Sequence, residues 1–236
     1  MNQLKELELV DYLLLDYLVF YPLPFFVLFK SERLNKPAID LDVEEIALQI
    51  TCLSKNNFIV ISTENGRTLK LSVKEIYSLL KQAIDYNSYT KGLINLKKKL
   101  LAPKKFIYST IRLTNLGVER WEHFFEPDWS KYCSESEIFG EIGGEHRIIF
   151  EACSKKVIQE MSSITLKYLT SYSSKWKVIK PWKPFYWKEF ELGHALELSF
   201  LENGMDIESS LEDTKTIYTL RKWKKEWNQN WLEGLY

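Results

Sequence analysis

Ile111-Arg-Leu-Thr-Asn-Leu-Gly-Val-Glu-Arg-Trp-Glu122 is the stretch on which the fold turns. A β-like run, Phe106 to Leu113, stops at Thr114, passes Gly117 and opens a segment where Val118, Trp121 and Phe125 recur at helical spacing. Thr114 suits the start of that helix, because its side-chain oxygen satisfies one of the amides a helix N-terminus leaves unpaired. The junction predicts a strand running into a capped helix, with Trp121 packed in the core. A helical 111–114 or an exposed Trp121 would contradict it.

Upstream, Leu7, Val10, Leu14, Leu18 and Tyr21 recur at helical spacing and predict a first helix ending near Pro22. Phe25 to Phe29 reads as a second helical turn or a core strand. Asp40 or Asp42 caps a helix carrying Val43, Ile46, Ile50 and Leu53, which Asn56-Asn57 ends. Phe58 to Ser62 reads as a strand, Glu64-Asn-Gly66 as a turn, and Thr68 to Leu71 as its returning partner. Ser72 with Glu75 forms a capping box for a helix carrying Val73, Ile76, Leu79, Leu80 and Ala83.

Helix, helix, strand, then a later strand running into the Leu-Thr-x-x-Gly helix resembles the winged-helix superfamily over residues 5–126, with a long insert between the wing strands. The resemblance implies a winged-helix-like domain at 1–130, of a kind that binds DNA, RNA or other proteins. Pro127 ends its last helix, and the polar, acidic, glycine-bearing Ser134 to Gly144 reads as a linker or long loop. A Trp-rich α+β half follows at 145–236, with a core of its own or one shared with the first half.

In that half Arg147 to Phe150 reads as a strand, Lys155 to Ile164 as a helix, and Thr165 to Tyr172 as a strand. Trp176 to Trp187 carries Pro181 and Pro184, which confine it to an edge or turn. Ala195 to Phe200 alternates cleanly and reads as a strand. Thr216 to Leu232 reads as a closing helix with Ile217, Leu220, Trp223, Trp227 and Trp231 on it. The fold class is α+β.

Lys+Arg and Asp+Glu are equal at 32 each, so no global field draws the chain to nucleic acid or membrane. The apolar run Tyr12 to Phe29 holds Asp16, Pro22 and Pro24 and follows Glu6, Glu8 and Asp11, which favours a buried helix over a membrane segment or signal peptide. Cys52, Cys133 and Cys153 form neither a disulfide framework nor a zinc motif, which fits a cytoplasmic location.

Candidate chemistry is sparse. His123, His146 and His194 sit in different predicted elements, without a metalloprotease or nucleophile-elbow spacing around any of them. Gly140 to His146 is glycine-rich but carries Glu141 and Glu145 in place of a lysine, so it reads as a surface turn. No metal or cofactor is expected. Glu122, Glu126 and Asp128 make an acidic face, with Glu122 and Glu126 one helical turn apart. Six of the eight tryptophans follow residue 175, and Trp182, Phe185 and Trp187 are candidate contacts because aromatic side chains dominate interface hot spots. Lys97, Lys98, Lys99, Lys104 and Lys105 are the candidate contacts to nucleic acid.

The helix preceding the first wing strand is the one a DNA-reading winged helix docks in the major groove. Here it begins with Asp40, Asp42, Glu44 and Glu45 against a lone Lys55, and such a helix repels phosphate. The expectation is a non-catalytic protein that binds and inhibits a protein partner, such as a basic toxin or enzyme, in the manner of an immunity or antitoxin protein. The alternative is a winged-helix DNA-binding transcriptional regulator using the lysine-rich insert as an extended wing.

Overall fold

The computed structural model describes residues 7–24, 42–63, 65–81, 109–140, 144–201 and 222–224. Described residues up to Phe124 form one compact unit, and those from Phe125 onward a second. The chain is α+β, with a helical first unit and a second built of strands and aromatic side chains.

The first unit follows the sequence closely. Helix α1 (Leu9–Tyr17) starts where the Glu8 amide donates to the Asp11 carboxylate at 3.0 Å, and it buries Leu14 and Leu15. It stops short of Pro22, so the predicted stripe leaves the core there and Tyr21 is exposed. Strand β1 (Leu23–Pro24) sits at the edge of its sheet, where a proline costs no ladder bond. Helix α2 (Val43–Lys55) is capped by Asp42, whose carboxylate accepts from the Glu44 and Glu45 amides while Glu45 accepts from the Asp42 amide. Its inner face holds Ile46, Ala47, Ile50 and Leu53, and Asn57 at φ 61 turns the chain out of it.

Strands β2 (Ile59–Ser62) and β3 (Thr68–Leu69) pair antiparallel. Helix α3, over 73–81, begins at the Ser72–Glu75 box and buries Ile76, Leu79 and Leu80. Strand β4 (Thr110–Leu113) then returns between β1 and β2, giving the order β1-β4-β2-β3. It runs directly into α4 (Asn115–Phe125).

That junction is held by Thr114 from both sides. Its hydroxyl donates to the Asn57 carbonyl and accepts from the Gly117 amide at 3.1 Å, while its own amide donates to the Phe58 carbonyl at 3.0 Å. Gly117 allows the close approach: a Cβ there would lie 2.0 Å from the Phe58 carbonyl oxygen. Trp121 is fully buried, and its indole N–H donates to Asp16 at 2.9 Å. The strand, the cap and the buried tryptophan are as the sequence predicts.

The second unit centres on a four-stranded antiparallel sheet. Strands β5 (Cys133–Ile138), β6 (Glu145–Ala152), β7 (Ser173–Ile179) and β10 (Gly193–Leu201) take the order β5-β6-β10-β7. Helix α5 (Lys155–Leu166) follows β6 and packs on one face, closing a core of Ile148, Phe150, Ile158, Met161, Leu196 and Leu198. A small hairpin, β8 (Trp182–Phe185) and β9 (Lys188–Phe190), separates β7 from β10.

Three expectations are corrected here. Ser134–Ile138, read as linker, is most of β5: an edge strand with serines and glutamates on its two faces lacks the apolar alternation that marks a strand. Thr165 to Tyr172 is not a strand, because α5 continues to Leu166 before turning out. Within the predicted helix 216–232 only 222–224 are described, and they are not helical. The Trp223 carbonyl accepts from the Asp128 amide at 2.6 Å, and its ring joins an aromatic cluster. Phe25–Phe29, and the predicted insert beyond residue 81 up to 108, lie outside the described residues. No helix among the described residues is long and apolar enough to cross a membrane.

Candidate protein-binding surface

The expected contact residues divide sharply by burial. Trp182 is 1% exposed and Phe185 3%, so both are core, which corrects the surface role expected of them. The hairpin folds the aromatic run back on itself: Phe185 stacks on Trp187 with centroids 5.6 Å apart, and Trp182 stacks on Phe190 at 5.5 Å. Trp129, Tyr132 and Trp223 complete the cluster, with Trp129 edge-on to Phe185 at 5.7 Å and Tyr132 edge-on to Trp223 at 4.7 Å. The Lys188 ammonium lies 4.7 Å from the Trp129 ring centre, so this lysine stem is part of the packing. Burial drives the Tyr132 hydroxyl well above its ordinary pKa, with the neighbouring Cys133 and Glu151 adding to the rise. Trp187 is half-buried and Tyr186 exposed.

The acidic residues do not form one helical face. Helix α4 ends at Phe125, and Glu126 follows it in the left-handed region at φ 42, so helical spacing does not relate it to Glu122. Asp128 serves its own turn: its carboxylate accepts from the Ser130 hydroxyl at 2.6 Å and the Ser130 amide at 3.1 Å, and pairs with Lys131 at 3.2 Å. The Ser130 hydroxyl, with Lys131 beside it, holds that carboxyl below its usual range.

The histidines do not converge. His123 is exposed on α4. His194 pairs across the ladder with Ala152, and His146 with Phe200, which puts these two at opposite ends of the β6–β10 pair. His146 lies beside the rings of Phe139 and Phe200 at 5.8 Å each. No group of three or more metal-ligating side chains occurs among the described residues. No protein-family model, curated protein or solved structure matches the chain.

The feature most open to a partner is β7. Among the described residues it pairs with β10 alone, and Ser173 to Val178 are exposed throughout. Its register divides the side chains: Trp176 and Val178 share the α5 face with Leu196 and His194, while Lys175 and Lys177 share the opposite face with Glu197 and Ala195. Trp176 is 39% exposed and Val178 59%. The Lys155 ammonium, at the first residue of α5, stands 5.6 Å from the Trp176 ring centre. Ser173-Ser-Lys-Trp-Lys-Val-Ile179 carries this in its lysine–apolar alternation, whereas Trp182, Phe185 and Trp187 stand out only by their aromatic rings.

Glu197 holds the lysine face in place, accepting from Lys177 with Arg147 at 3.6 Å on the other flank. The Lys177 hydrogen bond, then the two positive charges, keep its carboxyl below its ordinary value of 4.5. A lowered folded pKa contributes stability above that ordinary value, and the contribution is lost as pH falls through the lowered one. Glu197→Gln is therefore expected to lower stability near neutral pH by about 0.5 kcal/mol. Urea midpoints of the two proteins should converge below pH 4.5. A gap independent of pH would show that this charge contributes nothing.

Proposed function

We propose that the chain is a non-catalytic binder that recognises and inhibits a protein partner, in the manner of an immunity or antitoxin protein. The carrying observation is β7: among the described residues an edge strand, exposed from Ser173 to Val178, with a tryptophan and a valine beside lysines. Unpaired strand edges and exposed aromatics are what protein partners engage, and scattered charges around them steer association.

A winged-helix DNA-binding regulator is the second reading. The antiparallel arrangement in which β4 returns between β1 and β2, with α2 directly before β2, favours a winged-helix-like first unit with an insert between its wing strands. The solvent face of α2 opposes DNA in the major groove: Asp42, Glu44, Glu45 and Leu48 are exposed on it. Asp42 and Glu45 are also committed to the cap. Lys97, Lys98, Lys99, Lys104 and Lys105, the candidate wing, lie outside the described residues.

Co-expression with the product of the neighbouring gene tests the proposal. The expected result is a stoichiometric complex whose association slows as salt rises, and no retention of random duplex DNA at physiological salt. Duplex binding that falls steeply with salt, and is lost when those five lysines are neutralised, would establish the regulator instead. Turnover abolished by substituting His123, His146 or His194 would sink the non-catalytic reading.

A further inference from the structure

We infer that the outer edge of β7 is a strand-acceptor site for an extended segment of another polypeptide, one carrying carboxylates at alternating positions with apolar side chains between them. This deepens the protein-binding reading and rests on it. Ser173 to Val178 are exposed, and no strand among the described residues lies outside β7. An open row of amides and carbonyls of that length is a template for main-chain pairing.

Side chains then select what pairs. An entering strand sends alternate residues to opposite faces. On the α5 face it meets Trp176 and Val178, on the other Lys175 and Lys177. Lys177 is engaged by Glu197, whereas Lys175, directly opposite Glu197 in the ladder, makes no ion pair among the described residues. The Lys155 ammonium lies on the α5 face beside Trp176, across the sheet from the row that Lys175 and Lys177 form.

The same lysines disfavour a second copy. Two β7 strands meeting antiparallel about Trp176 would set Lys175 against Lys177 on both sides of the pair, and like charges directly opposite destabilise a ladder. That register is thus disfavoured for a second copy, whereas an acidic strand meets the lysines with opposite charge.

Random heptapeptides displayed on phage, selected against the full chain, test this. Enriched sequences should alternate acidic and apolar residues. A synthetic peptide of that sequence should bind at least tenfold more weakly to Lys175→Glu and to Trp176→Ser. Both sites are exposed, and far-ultraviolet circular dichroism checks that each variant keeps its fold. Hydrogen exchange at 173–179 should slow when the peptide is added. No enriched binder, binders without the acidic alternation, or binding indifferent to both substitutions would overturn the inference. So would exchange at 173–179 that slows with protein concentration alone, because a second copy would then occupy the edge. A neighbouring-gene partner that binds every variant at full strength would overturn the inference while leaving the protein-binding reading intact.

Discussion

Gly117→Ala is expected to unfold the first unit, or to leave it close to the unfolding midpoint at room temperature. The added Cβ would fall 2.0 Å from the Phe58 carbonyl oxygen and 2.9 Å from its carbon. Those are backbone atoms, so no rotamer change relieves the clash. Either α4 lifts away from β2 or the chain at Phe58 shifts. The first exposes Trp121; the second breaks the 3.0 Å bond from the Thr114 amide and moves Phe58, which is fully buried. Overpacking of this kind costs about 3 kcal/mol or more where the neighbour cannot give, a large share of a small unit's stability. Thr114→Ala, which removes the cap and the bond to the Asn57 carbonyl, should cost about 1–2 kcal/mol. Urea unfolding followed by far-ultraviolet circular dichroism separates the two variants. A Gly117→Ala protein with an unchanged midpoint would mean that α4 does not abut Phe58.

Trp182→Ala should destabilise the second unit by about 3–5 kcal/mol, the cost of a cavity in place of a buried indole. Its ring stacks on Phe190, its N–H donates to Glu151 at 3.2 Å, and it lies so close to Gly193 that a Cβ there would be 2.5 Å from it. Tyr186→Ala, at an exposed turn of the same hairpin, should move the unfolding temperature little, within about 0.5 kcal/mol. If Trp182→Ala kept its thermal midpoint but lost partner binding, the core assignment would be wrong and the surface role restored.

Local signals in the sequence were read correctly where the physics is local. Thr114 before Gly117, Asp42 before Glu45 and Ser72 before Glu75 each place a helix start, because a cap is an interaction across three residues. The β10 alternation was equally plain, since one face of that strand is core and the other polar. The second unit's edges were not legible. β5 buries no side chain fully, so its serines and glutamates carry no apolar period. The aromatic cluster draws on residues near 130, near 185 and at 223, and nothing in sequence proximity joins Trp129 to Trp223. The same gap hid the exposed strand β7. Trp182 and Trp176 are the same residue type in one stretch, and only the hairpin's return decides which is covered.

The two four-stranded sheets share a strand order with a kinetic meaning. In each, the last described strand lies in the interior: β4 between β1 and β2, and β10 between β6 and β7. During translation β6 and β7 leave the ribosome well before the strand that joins them. Until β10 emerges, Ile148 and Phe150 lack their cross-strand neighbours Leu198 and Leu196, and the β5–β6 pair and β7 each keep an open edge. Pairings between residues so distant in sequence make closure slow and leave the intermediate open to misassociation. A pause in synthesis before β10 has emerged would therefore prolong the life of that open intermediate.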